Sequence, residues 1–575
     1  MLISTLYHSY VVSKIAMVDF PSQWPALLPS VLQIMPNGTD AQLHGALRIL
    51  QDLVEESLSD EQFFTVARDI ISACYEVAMN NNRKQTHRAL AVLVFRSCFD
   101  LMDIVKDDHK KEVRAFADEV LKGWLPYLEE VIKAELPVME GQEQTAPDTW
   151  YGPIALKVQS VKTLIKVKTV FKSLLLPRSP ELFGAAWAEL GRLQAKYQEL
   201  FIDSDAQGRL EDIDGLPFTL DFLVLEELDF LNQCIRASPV QKQLEAEIIK
   251  NGGVGNTQWA FDLIQLLVSY SQITQEEEGL WDIDVSLYLA EETSVSSSYT
   301  ARTACGDVLI KLGEWLHQQA LEALLAYTKT LFAPGVAPDW RRQEAALYLF
   351  TTIIRDFQDC QKAVPEEICF YYLELVHHAI SSAEEPILRA RGFIVAGNLS
   401  ISYPAALGLF DRAIQAITQD ESELVQVSCV KALEGFIEAG IPTDRQAAII
   451  AAIQTFMEAK DLTELEDADD LLVTLLETLR TTIMMDLRIA IATTSPAIDL
   501  LFTIAKNGAA NFQVTMIVCE AFEEIARNMK GAAPYTALCA KVIPLITGAF
   551  DVANVLEDNP LVTVCAPLTH VFVCV

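Results

Sequence analysis

A chain of 575 residues exceeds what one compact core ordinarily supports, which leaves several globular domains or one long stack of repeats. Apolar residues make up 51% of it, and that excludes disorder over most of the length. Its 79 Asp and Glu against 44 Lys and Arg give a formal net charge of −35, which disfavours nucleic acid, whose phosphates would be repelled, and favours basic partners.

The N-terminal stretch MLISTLYHSYVVSKIA lacks the basic region and cleavage site of a secretory signal. No run of about 18 residues is both apolar and uncharged, so a soluble, intracellular chain without membrane insertion is expected. Helical apolar spacing first recurs around Ala46 and Ala89, in LHGALRILQDLV and THRALAVLVFRSC. Residues 137–153 (PVMEGQEQTAPDTWYGP) then read as a turn-rich insertion and residues 203–215 (DSDAQGRLEDIDG) as an acidic one. NGGVGNT at 251–257 has the glycines of a phosphate loop but neither a preceding strand nor a Gly-Lys-Ser/Thr ending, so a flexible inter-helix loop is expected. Residues 276–299 (EEEGLWDIDVSLYLAEETSVSSSY) form a third insertion of acids, aromatics and serines.

Beyond it, the small residues Ala304, Ala345, Ala390, Cys429, Thr474 and Cys519 sit in apolar helical runs at intervals of 41, 45, 39, 45 and 45 residues. Within 425–438, Val430, Leu433, Phe436 and Ile437 share one helix face, with Lys431, Glu434 and Glu438 opposite. Thr443 and Gln446 have capping-box spacing after the breaker pair Ile441–Pro442. ELEDADD at 464–470 sets carboxylates before a helix N-terminus, as a solvated dipole-matched turn or a partner contact. Ser495, Pro496 and Gly508 read as N-cap, first residue and terminator of a further helix.

Strand alternation is nearly absent, and a repeat period of about 40–47 residues is that of HEAT or armadillo solenoids, in which stacked helix pairs share one core. The expected fold is therefore an all-α superhelix of such repeats over residues 1–575, with loop insertions near 137–153, 203–215 and 276–299. Solenoids of this kind bind macromolecules. Eleven scattered cysteines without a Cys-x-x-Cys point to buried small hydrophobes in a reducing compartment, not to disulfides or zinc. His377–His378 lacks further ligands at metal spacing, and no Gly-x-Ser-x-Gly occurs. No catalytic, cofactor-binding or metal-binding residue is expected, no cofactor, and no enzyme activity.

Residues 10–35, YVVSKIAMVDFPSQWPALLPSVLQIM, resemble an early-repeat signature of the importin-β (karyopherin) superfamily, carried by Ile15, Ala16, Asp19, Phe20, Pro21, Trp24, Pro25, Leu27, Leu28 and Pro29. Residues 261–312 look like the importin-9 class, through Ile273, Thr274, Glu276, Trp281, Glu291, Glu292, Tyr299, Thr300, Arg302, Thr303, Ala304, Asp307 and Leu309, and DWRRQEAALYLF at 339–350 continues the match. In the family pattern the insertion carries carboxylates where this chain has serines. Because importins run to roughly twenty such repeats and this length allows about twelve to fourteen, the resemblance implies a fragment truncated at both ends.

What the resemblance implies is a nuclear import receptor that shuttles between cytoplasm and nucleus. It would bind basic protein cargo, such as core histones or ribosomal proteins, on an acidic concave surface. It would pass the pore on Phe-Gly nucleoporins and release cargo to the small GTPase Ran in its GTP form. The alternative is a static HEAT-repeat scaffold in a multiprotein complex. Candidate cargo contacts are Asp203, Asp205, Glu211, Asp212 and Asp214 in one acidic loop, and Glu276, Glu277, Glu278, Glu291 and Glu292 in the other.

Overall fold

A computed structural model describes residues 2–549 except 108, 138–146, 294–298, 383, 461–468 and 509. The chain divides into two compact units, the first formed by Met1–Trp259 with Thr300–Leu312, the second by Ala260–Tyr299 with the chain from Gly313 onward. Among the described residues both are helical, with one isolated bridge, Glu211 to Pro217, and no named strand. None of the described helices is long and apolar enough to cross a membrane.

In the first unit, helices Asp40–Asp52, Gln85–Val105, Pro147–Val170 and Leu220–Ile235 pack side by side as one layer. Each is backed by a partner from the second layer, Leu27–Asn37, Asp60–Met79, Lys110–Lys133 and Ser179–Tyr197. Aromatic residues fill the seam. Trp124 of Lys110–Lys133 is 2% exposed and stacks on Phe95 of Gln85–Val105 with ring centroids 3.8 Å apart. Burying such a side chain stabilises by about 1.5–3 kcal/mol, whereas an exposed pair such as Arg68–Glu119, at 2.8 Å, is screened by solvent and adds little. Packing between layers therefore holds the unit. The N-terminal helix Leu2–Asp19 ends in a turn in which the Asp19 carbonyl accepts from Gln23 and Trp24 backbone amides at 2.7 and 2.9 Å. Trp24 there is half-buried.

The second unit repeats the scheme. Helices Trp340–Asp359, Pro386–Ser402, Glu423–Glu438, Asp469–Met485 and Phe512–Asn528 form one layer, each packed against the partner before it in sequence. The periodic small residues explain themselves here. Ala345, Ala390 and Cys429 are fully buried and Thr474 nearly so, while Cys519 is half-buried. The closest approach is between Pro386–Ser402 and Glu423–Glu438, where Gly397 and Gly435 touch backbone to backbone. A Cβ on Gly397 would lie 2.5 Å from the Ala432 carbonyl oxygen, so only glycine fits.

Local readings fare unevenly. Residues 276–299, expected as an insertion loop, carry helices Gln275–Ile283 and Val285–Thr293, while their serine run at 294–298 lies outside the described residues. A Thr274–Glu277 capping box starts the first of them, with Thr274 N–H donating to Glu277 at 2.7 Å. The glycine loop at 251–257 is not slack. Gly252 at φ 75° and Gly253, whose N–H donates to Ile248 O at 3.1 Å, close helix Ser238–Asn251 in a Schellman turn.

No capping box forms at Thr443. Residues Thr443–Arg445 make a 3-10 turn, and the buried Gln446 amide instead donates to the Asp486 carbonyl of the next repeat at 3.1 Å. The helix expected to start at Pro496 spans Ala497–Asn507 with Pro496 itself as the flanking residue. Of the turn at 137–153, residues 138–146 lie outside the described residues and 147–153 open helix Pro147–Val170; most of ELEDADD is likewise not described.

Candidate basic-partner interface

The first acidic loop is partly internal. Asp214, with 7% of its side chain exposed, sits 2.7 Å from His44 Nε2 and 3.6 Å from Arg48 Nε. Asp212 Oδ1 accepts from the Asp214 and Leu216 backbone amides at 2.9 and 2.8 Å, and its other oxygen accepts from the Tyr151 hydroxyl. Burial, reinforced by that carboxylate, holds the Tyr151 phenol well above its usual pKa. These two aspartates close the loop on itself and on the helix Asp40–Asp52. Asp203, Asp205 and Glu211 are exposed, Asp203 accepting from Gln198 Nε2 at 2.9 Å.

The second set is divided in the same way. Glu277 caps its helix, and Glu278 pairs with Arg341, whose other guanidinium nitrogen donates to the Ile273 carbonyl at 2.8 Å. Glu292 is buried and pairs with Arg391, which also donates from Nε to Glu344 at 2.8 Å. Two carboxylates around one buried guanidinium stabilise its charge and raise its pKa against the burial that opposes it. Glu292 is therefore tied up inside the fold, and the half-buried Glu278 is held at the surface by Arg341. Glu276 is exposed and Glu291 half-buried.

The structure assembles a different acidic surface, on repeat helices the sequence presents only as ordinary amphipathic ones. Glu434, Glu477 and Glu520 fall one per repeat on Glu423–Glu438, Asp469–Met485 and Phe512–Asn528. Burial pushes the Glu477 carboxyl above its usual range. Arg480 and Lys431 oppose that shift, while Glu434 and Glu520 add to it.

A groove of about 520 Å³ opens there, lined by Ile437, Ile441, Thr443, Glu477, Arg480, Thr481, Met484, Met485 and Glu524. Arg480 spans it, 2.9 Å from Glu524 and 3.3 Å from Glu477. A neighbouring cavity of about 260 Å³ is bordered by Glu434, Glu438, Lys431 and Arg355. Glu438 and Glu520 are exposed. The signal in the sequence was the recurrence of glutamate at the repeat period, legible only once the stacking direction is known.

The described residues offer no cluster of three or more His, Cys, Asp or Glu fit to hold a metal ion. Cys74, fully buried, has its thiol pushed up to about 12 by burial, the opposite of an activated nucleophile. The arrangement can attract and seat cations beside apolar side chains.

Fold and surface define the class: a HEAT-type helical-repeat solenoid with a carboxylate-rich face. Residues 254–509 match the family described as importin-9 central HEAT repeats. Importin subunit beta-5 of Schizosaccharomyces pombe is 26% identical over 573 residues, 97% of this chain and 54% of that protein. Importin-9 of Drosophila melanogaster is 19% identical over 470 residues, 78% of this chain and 43% of that one. Among solved structures, the exportin Cse1 in its cargo-free, cytoplasmic state superposes with a TM-score of 0.55 at 15% identity, over 98% of this chain and 59% of that one. Over residues 254–509 the chain carries HEAT repeats of the importin-9 type, and along nearly all of its length it is similar to an importin-β (karyopherin) protein. It spans about half the length of the curated relatives it matches.

Proposed function

We propose that this chain serves nuclear import, binding basic protein cargo such as core histones or ribosomal proteins and shuttling between cytoplasm and nucleus. Cargo release by Ran-GTP and passage on Phe-Gly nucleoporins complete the cycle. The supporting observation is the row Glu434, Glu477, Glu520 with Glu438 and Glu524, five carboxylates against Lys431, Arg480 and Arg355, beside the apolar side chains Ile437, Ile441, Met484 and Met485. Apolar side chains beside the carboxylates lower the local dielectric, so a lysine or arginine entering the groove meets a stronger attraction than on an open surface.

A titration with a core-histone heterodimer tests this. Glu438→Gln/Glu477→Gln/Glu520→Gln should weaken binding by about tenfold or more (~1.4 kcal/mol) and flatten its salt dependence. Neutralising Asp203, Asp205 and Glu211 should weaken it less. Unchanged affinity and salt slope in the first variant would refute the assignment of the groove.

A static scaffold is the second reading. It is favoured by the buried Arg391–Glu292–Glu344 cluster, which ties the 276–293 segment to two repeat helices and stiffens the second unit. A scaffold would bind its partner with no response to Ran-GTP.

A further inference from the structure

Helices Gln275–Ile283 and Val285–Thr293 have two unlike sides. Their inner side is firmly seated in the second unit. Trp281, 5% exposed, meets the Tyr288 ring edge-on at 5.2 Å, and the buried Tyr288 hydroxyl accepts from Ser428 Oγ at 3.0 Å. Leu289 is fully buried, Glu292 reaches Arg391, and Val285–Thr293 packs on Glu423–Glu438 and Asp469–Met485.

The outer side is apolar. Leu280 is 44%, Ile283 85% and Leu287 42% exposed. One exposed leucine is unremarkable on any surface, but here Leu280 and Ile283 are exposed one turn apart on one helix and Leu287 is exposed on the next. Around them the segment 275–293 carries seven carboxylates and no lysine or arginine. Glu277 is engaged in its helix cap, Glu278 with Arg341 and the buried Glu292 with Arg391, while Glu276 and Asp282 are exposed.

We propose that this outer side is a second docking surface, separate from the groove, for a partner segment that presents aliphatic or aromatic side chains flanked by lysines or arginines. Charge decides the occupant, because a second acidic copy of this chain would bring its own carboxylates against Glu276 and Asp282. The seat matters as much as the patch. With Trp281, Tyr288 and Glu292 already fixed, docking orders little additional chain, so the entropy penalty that weakens flexible acidic loops is largely absent. The proposal does not rest on the import reading; a scaffold with the same strap would have the same surface.

The test uses the full chain and two labelled peptides of equal positive charge, one with leucines and lysines at helical spacing, one with serines replacing the leucines. At about 0.15 M salt the Leu/Lys peptide should bind roughly tenfold more tightly than the Ser/Lys peptide, ~1.4 kcal/mol. Leu280→Ser/Ile283→Ser should abolish that preference and leave Ser/Lys binding and thermal melting unchanged. Glu477→Gln/Glu524→Gln should leave the preference intact, which separates this surface from the groove. Retention of the preference in the Leu280→Ser/Ile283→Ser variant would overturn the proposal, as would equal loss of both peptides. A concentration-dependent dimer in sedimentation that this variant abolishes, with peptide preference unchanged, would assign the patch to self-association and also overturn it.

Discussion

Glycine 435 shows how a repeat of about forty residues acts through single atoms. A methyl group there would overlap the Gly397 carbonyl, and helix backbone cannot yield as a side-chain tip would. Gly435→Ala should therefore destabilise by about 1–3 kcal/mol through overpacking, even though alanine is the better helix former by about 1 kcal/mol. Gly184→Ala, where nothing lies within 4 Å of the added methyl, should show the propensity gain alone. Urea unfolding midpoints of the two variants decide it.

Glu227 is the second residue of this kind. It is fully buried beside Glu189, which already holds Lys157 at 2.8 Å, and burial together with the Glu189 charge raises its pKa well above 4.5. A raised pKa in the folded state means that its favourable contribution is complete below about pH 4.5 and drains away as pH rises toward the folded-state value. The slope is about 1.4 kcal/mol per pH unit. Glu227→Gln, which imitates the protonated acid, should gain stability relative to the parent chain as pH rises above about 4.5. Parallel unfolding free energies at every pH would contradict this.

At the scale of elements, the 275–293 strap depends on a buried charge cluster. Arg391→Met would leave Glu292 and Glu344 together without their cation, a loss of about 3–5 kcal/mol. Glu292→Gln keeps Arg391 paired with Glu344 and should cost about 1–2 kcal/mol. Hydrogen exchange over residues 275–293 should accelerate in the first variant far more than in the second; equal protection in both would show that packing by Trp281 and Tyr288 alone seats the strap.

The strap also shows what a sequence hides. Thr274–x–x–Glu277 is a local capping signal and was there to be read, but it lies inside an acidic run that looks like a loop. Asp214 gives no sign of burial, because its partner His44 is 170 positions away. Asp212 is a turn-former whose acceptor role depends on the backbone closing around it. Carboxylates in a polar run look equally available until the chain is folded, and half of them are then internal. Glu434, Glu477 and Glu520 give no sign of a shared surface for the opposite reason: each looks like the solvated face of an amphipathic helix, and only stacking brings them together.

For the whole molecule, the period itself was legible because stacking demands a small residue where neighbouring helices approach, and Ala345, Ala390 and Cys429 are fully buried there. The resemblance rested on two local strings and the repeat, and the match to importin-9 central HEAT repeats over residues 254–509 agrees with it. Charge distribution was legible only as a total. A net −35 says that basic partners are favoured; it does not say that the carboxylates recur along one layer of repeat helices.

Recognition of basic cargo by this layer, as proposed, is electrostatic, and a salt titration of the chain with a core-histone heterodimer, with and without Ran-GTP, tests it. Binding should be tight at low salt and weaken at least tenfold (~1.4 kcal/mol) as the screening length contracts from about 10 Å at 0.1 M to about 3 Å at 1 M, with Ran-GTP displacing the histones. Absence of binding at low salt, or an affinity indifferent to salt, would contradict it.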